Sequence, residues 1–456
     1  MAQGFYNNEG VASPGEDSQH VVEVDKVQAN IFFDGTLNNF YNSVEQVTSA
    51  IARFEAMQDK VALQAMKTLQ QKFVGKDTSY DNSMSNIARM WEPMGKDLDH
   101  PDIGVYLEGM GTTQYEADSL RGYAFGMGQT GMVDRAQEAF EKLKNKVAVK
   151  RGDDGLPAIL ELNVFGFSRG AATARHFVSL LGKPEVKEQH FSDTWGEVII
   201  QVNFVGLFDT VSSEGVYYGN DVADLELRFA KNAARRVFHV VALDEYRENF
   251  SDTTIASARS ATSLVDGAHV PMGFELGIPG AHSDVGGGYT CDSTKSEQEI
   301  RKLPSTHTQH MGRGQTTTVR GPQAFVYAQG WYTAEQRKED DMHTRLVTGD
   351  YAKVALSLMV DMAEQHTTAR YAQVKVQALT PDIEPVQAQL RALLTQSAFV
   401  PGKPTRMDWS LDEHLGPEAA QAFRNKYLHL SLNLSKTGMG PRYKDNQTLE
   451  RHHEAG

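Results

Sequence analysis

The sequence predicts an α/β fold: a mostly parallel sheet with helices on both faces, followed by a mainly helical cap or C-terminal region. Two observations predict it. Short apolar runs alternate with segments of helical spacing up to about residue 292, and the alternation weakens beyond that point. The chain has 456 residues, which at roughly 150 residues per domain is room for two to three domains and a large core.

Residues 1–20 are polar and rich in Gly, Ser and Asn and read as a flexible leader. Residues 29–33 form an apolar strand that stops at the turn pair Asp34-Gly35. Residues 44–74 have helical spacing, with Ile51, Phe54, Leu63 and Leu69 on the apolar side. A second strand follows at 103–107, then a glycine-rich stretch from Gly109 to Gly131 that reads as loops beside the site. Residues 132–147 and 170–181 read as helices, and 158–165, 198–208, 237–243 and 272–276 as strands. Residues 293–325 are polar, and helical spacing returns at 351–376, 383–396 and 417–428. These readings divide the chain into a leader (1–20), an α/β catalytic domain (21–292) and a helical remainder (293–456).

Lys plus Arg number 45 against 59 Asp plus Glu, a formal charge of −14 with no basic run, which argues against nucleic acid as the main partner. A single cysteine, Cys291, excludes an intramolecular disulfide and any multi-cysteine metal site. No apolar run approaches the roughly 18–20 residues that span a bilayer. The first twenty residues lack the basic start and apolar core of a cleaved signal, so any export is expected to use another route.

Gly166-Phe167-Ser168-Arg169-Gly170 has the spacing Gly-x-Ser-x-Gly, with an apolar strand before it and the small residues Ala171-Ala172-Thr173-Ala174 after it. A sharp strand-to-helix turn needs glycines on either side of the serine, and it projects the hydroxyl at the strand's C-terminal end. The predicted class is therefore an α/β-hydrolase-like domain. A serine hydroxyl needs a base, and in such folds the chain order is Ser, then Asp or Glu, then His. Asp209 ends the next strong strand. His282 lies in a glycine-rich loop after a later one, within Gly280-Ala281-His282-Ser283-Asp284-Val285-Gly286-Gly287-Gly288-Tyr289. Its rival His239 lies inside an apolar strand and reads as a core residue. His176 is too far along the elbow helix, and His307, His310, His452 and His453 read as solvated. The oxyanion donors are expected from the N–H of Arg169 and from the loop of Gly35, Thr36 and Leu37. Asp34 reads as a loop anchor. The runner-up is that Asp34 and Asp284 hold a divalent cation; otherwise no cofactor is expected.

Six motifs in order carry a resemblance: Asp34-Gly35-Thr36-Leu37-Asn38, Tyr106 to Thr112, Gly166 to Ala171, Asp209-Thr210-Val211, His239 to Arg247, and Gly280 to Tyr289. Over residues 28–290 the chain resembles a bacterial and fungal set of α/β-hydrolase domains that includes the first class of type VI secretion lipase effectors. The resemblance implies an A-type phospholipase acting on bacterial glycerophospholipids with the triad Ser168, Asp209 and His282. It also implies a type VI spike or adaptor as delivery partner and a cognate immunity protein. The protein would be cytoplasmic in its producer and act in the target cell's periplasm. A carboxylesterase on other esters and a non-catalytic partner-binding scaffold are the alternatives.

Overall fold

Seven of the chain's extended segments hydrogen-bond side by side in one sheet: β1 (Lys26–Phe33), β2 (Ile103–Leu107), β3 (Ile159–Phe167), β4 (Ile199–Phe208), β5 (Arg236–Ala242), β6 (Gly273–Ile278) and β7 (Arg406–Asp408). Their spatial order is β7-β6-β5-β4-β3-β1-β2, and every neighbouring pair is parallel. The computed structural model describes residues 24–45, 83–97, 99–112, 131–191, 195, 197–212, 225–290, 296–312, 315–374, 378–434, 440–444 and 448–456. The expected leader, nearly all of the helix expected at 44–74, most of the glycine-rich stretch and Cys291 lie outside the described residues.

The strands are apolar on both faces because both are covered. Ala29, Ile31 and Phe33 of β1, with Leu160, Leu162 and Val164 of β3, join one buried cluster with Phe140 and Leu143 of helix Met132–Arg151 and Phe177 of helix Arg169–Leu181. Phe32, Phe165 and Phe167 point the other way, into a second cluster. Along β4 the alternation breaks at Asn203, an extra residue between the pairs Leu162–Val202 and Asn163–Phe204. It puts Val202, Val205 and Leu207 on the first face and Phe204 and Phe208 on the second.

The second cluster does not stop at residue 293. It takes in Trp331, Tyr351, Leu358, Leu390, Phe423, Leu430 and Leu449. The segment after 293 therefore covers a face of the sheet and supplies its edge strand β7. It also carries two antiparallel ribbons, Glu297–Lys302 with Met342–Val347 and Thr306–Gly312 with Gln315–Arg320. Three of these four strands lie in the polar stretch 293–325, and Met342–Val347 lies beyond it. The second pairs threonines across the ribbon, as at Thr308 and Thr318, and threonine suits a strand without being apolar.

Helix Ala352–His366 ends earlier than its spacing suggests. Thr367 turns extended, its hydroxyl donating to Ala363 O at 2.8 Å and accepting from Ala369 N–H at 3.2 Å, which replaces the next helical bonds. The polar residues near the start of this helix, Lys353 and Ser357, are buried and paired, whereas Asp361 is partly and Glu364 largely exposed. Lys353 pairs with Asp350 at 2.6 Å, and Ser357 and Asp361 bond Gln387 and Arg391 of helix Glu384–Ser397, each at 2.6 Å. Leu358 is fully buried. Leu358→Glu is therefore expected to cost about 4 kcal/mol or more by burying an unpaired carboxylate, read as a lowered denaturant midpoint.

Candidate active site

Strand β1 lies between β2 and β3, so the chain leaves it in one direction along the sheet and later continues in the other. The crevice beyond the C-terminal ends of β1 and β3 is where open α/β sheets place ligands. The loop of Gly35, Thr36 and Leu37 follows β1, and Ser168 follows β3.

Ser168 alone connects β3 to helix Arg169–Leu181. Its backbone has φ 58° and ψ −128°, a conformation that a serine holds only under constraint from its surroundings. The flanking glycines permit the turn: a Cβ on Gly166 would come within 2.5 Å of the Ala171 Cα, and one on Gly170 within 2.3 Å of the Asp34 carbonyl oxygen. Ser168 N–H donates to Phe208 O at 3.0 Å, and Ser168 O accepts from Val211 N–H at 3.3 Å. The elbow is thus tied to β4 on both sides of Asp209.

Asp209 is fully buried. Its Oδ1 accepts from Ala242 N–H at 2.9 Å, and its Oδ2 meets His282 Nδ1 at 2.5 Å. The Arg451 guanidinium takes both oxygens, Nη1 on Oδ1 and Nη2 on Oδ2 at 2.9 Å. Burial alone would raise this carboxyl's pKa. The Arg451 charge and the His282 hydrogen bond overcome that and hold it well below the usual carboxylate range. An ionised carboxylate only accepts, which assigns the proton to Nδ1 and leaves Nε2 with its lone pair. The His282 ring packs against the Phe167 ring at 4.6 Å and against Phe250 edge-on at 5.2 Å. The residue before the serine therefore bears on the histidine. Burial pushes the His282 pKa down, the Asp209 hydrogen bond and charge push it back, and the net value is lowered.

In the loop after β1, Gly35 N–H donates to Asp34 Oδ1 at 2.7 Å and Leu37 N–H to Met110 O at 3.2 Å. Of the loop's three candidate donors, the N–H groups of Gly35 and Leu37 are thus engaged within the fold. The N–H of Thr36 has no partner among the described residues, and Thr36 Oγ1 accepts from Arg169 Nε at 2.7 Å, bridging the two loops. Asp34 is turned back on its own loop and also accepts from Tyr106 O–H at 2.6 Å; burial raises its pKa to about 6. Asp284 accepts from Ala281 N–H at 2.9 Å and pairs with His429 Nδ1 at 2.7 Å. The two carboxylates therefore keep different company, and no group of three or more metal-ligating side chains occurs among the described residues.

His239 is fully buried; its Nδ1 faces Glu275 at 3.0 Å and its Nε2 accepts from Thr210 N–H at 3.0 Å, beside Asp209. His176 Nδ1 accepts from Glu226 N–H at 3.0 Å. His453 is exposed, as its polar segment suggests, and its Nδ1 pairs with the buried Asp252 at 2.9 Å, because residues His453–Ala455 lie as a strand beside Asp252–Thr254. His452 is half-exposed, as its polar surroundings suggest.

Residues 182–312 match the family model of the type VI secretion phospholipase effector Tle1-like catalytic domain. The type VI lipase effector resemblance holds. The matched stretch contains Asp209 and His282 and begins after Ser168. The chain is also similar to the solved structure of the Tle1 effector bound to the VgrG spike of the type 6 secretion system, at 21% identity over 97% of this chain and 98% of that one, with a TM-score of 0.54. That likeness concerns the fold. A crystal structure of an uncharacterised Pseudomonas aeruginosa protein shares 18% identity over 83% of this chain and 52% of that one, with a TM-score of 0.41. No curated protein matches.

Two groups at the site, Arg451 and His429, carried no reading from the sequence, and Glu245 read only as structural support within its motif. Arg451 stands in a polar segment with no periodicity. Glu245, inside one of the motifs, accepts from the His282 N–H at 3.2 Å, from Arg247 and from Ser431 O–H at 2.7 Å. Burial pushes its carboxyl up, and Arg247 and Ser431 bring it down to about 2. His429 belongs to the alternation Leu428-His429-Leu430-Ser431-Leu432-Asn433, whose leucines are fully buried and whose polar members reach Asp284, Glu245 and the Lys302 N–H. That period of two was a legible sign of an extended segment packed on the domain. Since its pKa is lowered by burial, His282 is expected to titrate below the ordinary histidine value of about 6.5, measured by NMR on the labelled imidazole.

Proposed function

We propose that the protein is an A-type phospholipase effector that hydrolyses membrane glycerophospholipid esters with Ser168, Asp209 and His282. One observation carries the reading: a strained serine elbow tied by its backbone to the strand whose tip holds a buried Asp209–His282 pair, in a chain matching a Tle1-like phospholipase catalytic model.

Ser168 Oγ attacks the ester carbonyl carbon while His282 Nε2 accepts its proton. Asp209 keeps the imidazole in the tautomer protonated on Nδ1 and stabilises the imidazolium. The developing oxyanion is met by the backbone N–H groups of Arg169, which opens its helix, and of Thr36. The Arg169–Thr36 side-chain bond keeps those two donors in register. Collapse of the tetrahedral adduct breaks the ester bond. The lysophospholipid leaves with the proton from His282, and the acyl group stays on Ser168. A water molecule, deprotonated by the same histidine, then releases the fatty acid. The sequence calls for no cofactor and the chemistry uses none.

Delivery follows the same reading. The effector is held in the producer's cytoplasm beside an immunity protein, carried by a type VI spike or adaptor, and released into the target's periplasm, where the phospholipid membrane is the substrate.

Ser168→Ala is expected to stay folded and to lose at least about a thousandfold in kcat. Mass spectrometry of lipids from vesicles incubated with each protein checks this, and the lysolipid isomer identifies the acyl position cut. Turnover confined to soluble esters turns the reading to a carboxylesterase, and none on any ester turns it to a binding scaffold. Fused to a periplasmic signal the protein is expected to kill a bacterial host that tolerates it in the cytoplasm. Equal toxicity in both compartments counts against an outward-facing membrane target.

A further inference from the structure

The Asp209 carboxylate has more partners than a triad needs. An aspartate side chain turns about a broad, two-fold terminal torsion. The Ala242 N–H on Oδ1 and the His282 Nδ1 on Oδ2 are single bonds to separate oxygens. Arg451 adds a planar fork that takes both, and its Nη2 shares Oδ2 with the histidine. The fork is itself fixed. Nε donates to Phe250 O at 3.1 Å, and Nη1 also donates to Ala242 O at 2.6 Å, on the residue whose N–H holds Oδ1. The segment that carries it is docked by backbone pairing: Asp252 N–H donates to His452 O at 2.9 Å, His453 and Ala455 lie opposite Asp252 and Thr254, and Ser257 N–H donates to Gly456 O at 3.0 Å.

The geometry points to Arg451 as the positioning residue of the Asp209–His282 pair: the segment 451–456, strapped along Asp252–Thr254, holds both carboxylate oxygens so that Oδ2 meets the histidine. This rests on the triad reading of Ser168, Asp209 and His282 and adds to it a residue 242 positions from the aspartate. The arrangement also has an electrostatic consequence. The charged groups facing His282 are Asp209 with Arg451 on the ring side and Glu245 with Arg247 at its backbone N–H, while Asp284 on its own helix is taken by His429. Each carboxylate that touches His282 carries one guanidinium. Removing the Arg451 charge leaves the Asp209 carboxylate uncompensated, favours the imidazolium, and moves the acid limb of activity to higher pH.

The test uses the full chain on phospholipid vesicles, with active Ser168 counted by a fluorophosphonate so that misfolded protein does not enter the rates. Arg451→Met is expected to lower kcat by about a hundredfold with KM within about twofold, as displaced catalytic groups do, and to raise the acid limb by roughly half a pH unit or more. Arg451→Lys keeps the charge and loses the fork, so kcat falls by roughly tenfold while the limb stays in place. Wild-type kcat and an unmoved limb in Arg451→Met overturn the assignment. If that variant does not fold, Arg451→Lys decides: a tenfold fall at an unmoved limb supports the proposal, and wild-type kcat overturns it. Ser168→Ala runs alongside. Full turnover by that variant overturns the triad reading itself, whereas its loss together with an indifferent Arg451 variant overturns only the positioning role.

Discussion

Burying an ionised carboxylate at the tip of β4 is the constraint on which the rest of the site depends. An unpaired charge at that depth costs several kcal/mol, so each neighbour of Asp209 is a hydrogen-bond donor: the Ala242 N–H, the His282 imidazole and the Arg451 fork. The requirement spreads outward. Thr210, next along the chain, gives its N–H to His239, which faces Glu275, and Glu275 in turn gathers the Ile255 N–H, Arg259 and Arg406. Arg406 belongs to β7, so the polar network that begins under Asp209 ends at the far edge of the sheet. Removing any one member leaves the next buried group without its partner, which is more costly than the loss of a single exposed bond.

The sheet order explains why the serine and its expected oxyanion loop meet at all. Neighbours in space, β1 and β3 end side by side, and Gly170 lets the elbow helix approach the Asp34 carbonyl within a distance that no side chain would tolerate. The Arg169–Thr36 bond then joins the two loops. The helix Ala352–His366 packs its apolar girth on the sheet, and its buried Ser357 accepts from Gln387 of a second helix.

What was legible in the sequence was what is encoded locally. Strands of five or more apolar residues announce themselves, as do a serine between two glycines and a histidine in a glycine-rich loop. Asp209 could be read because it ends such a strand. The rest depends on pairs far apart along the chain. Arg451 and Asp209 have no common pattern, and neither do His429 and Asp284, 145 residues apart. Strand β7 is three residues long, too short for periodicity, and the bulge at Asn203 arises from register, which a single strand does not display. Which N–H of the loop of Gly35, Thr36 and Leu37 is engaged was hidden for the same reason: Leu37 N–H finds Met110 O, a partner that proximity in the fold supplies and sequence spacing does not.

The charges around the site suggest a last step. Asp209 and Glu245 are each locked to a guanidinium and held far enough below neutrality to stay ionised whatever the working pH. Against that background burial lowers the value of His282 and raises that of Asp34 to about 6. His282 is the proposed base, and Asp34 stands two residues before Thr36 in the loop after β1. As pH falls, protonation of His282 removes the proposed base, while protonation of Asp34 removes a negative charge from the loop proposed to meet the oxyanion. The two titrations therefore oppose one another in their effect on acyl transfer, and the base dominates, because without its lone pair the serine proton has nowhere to go.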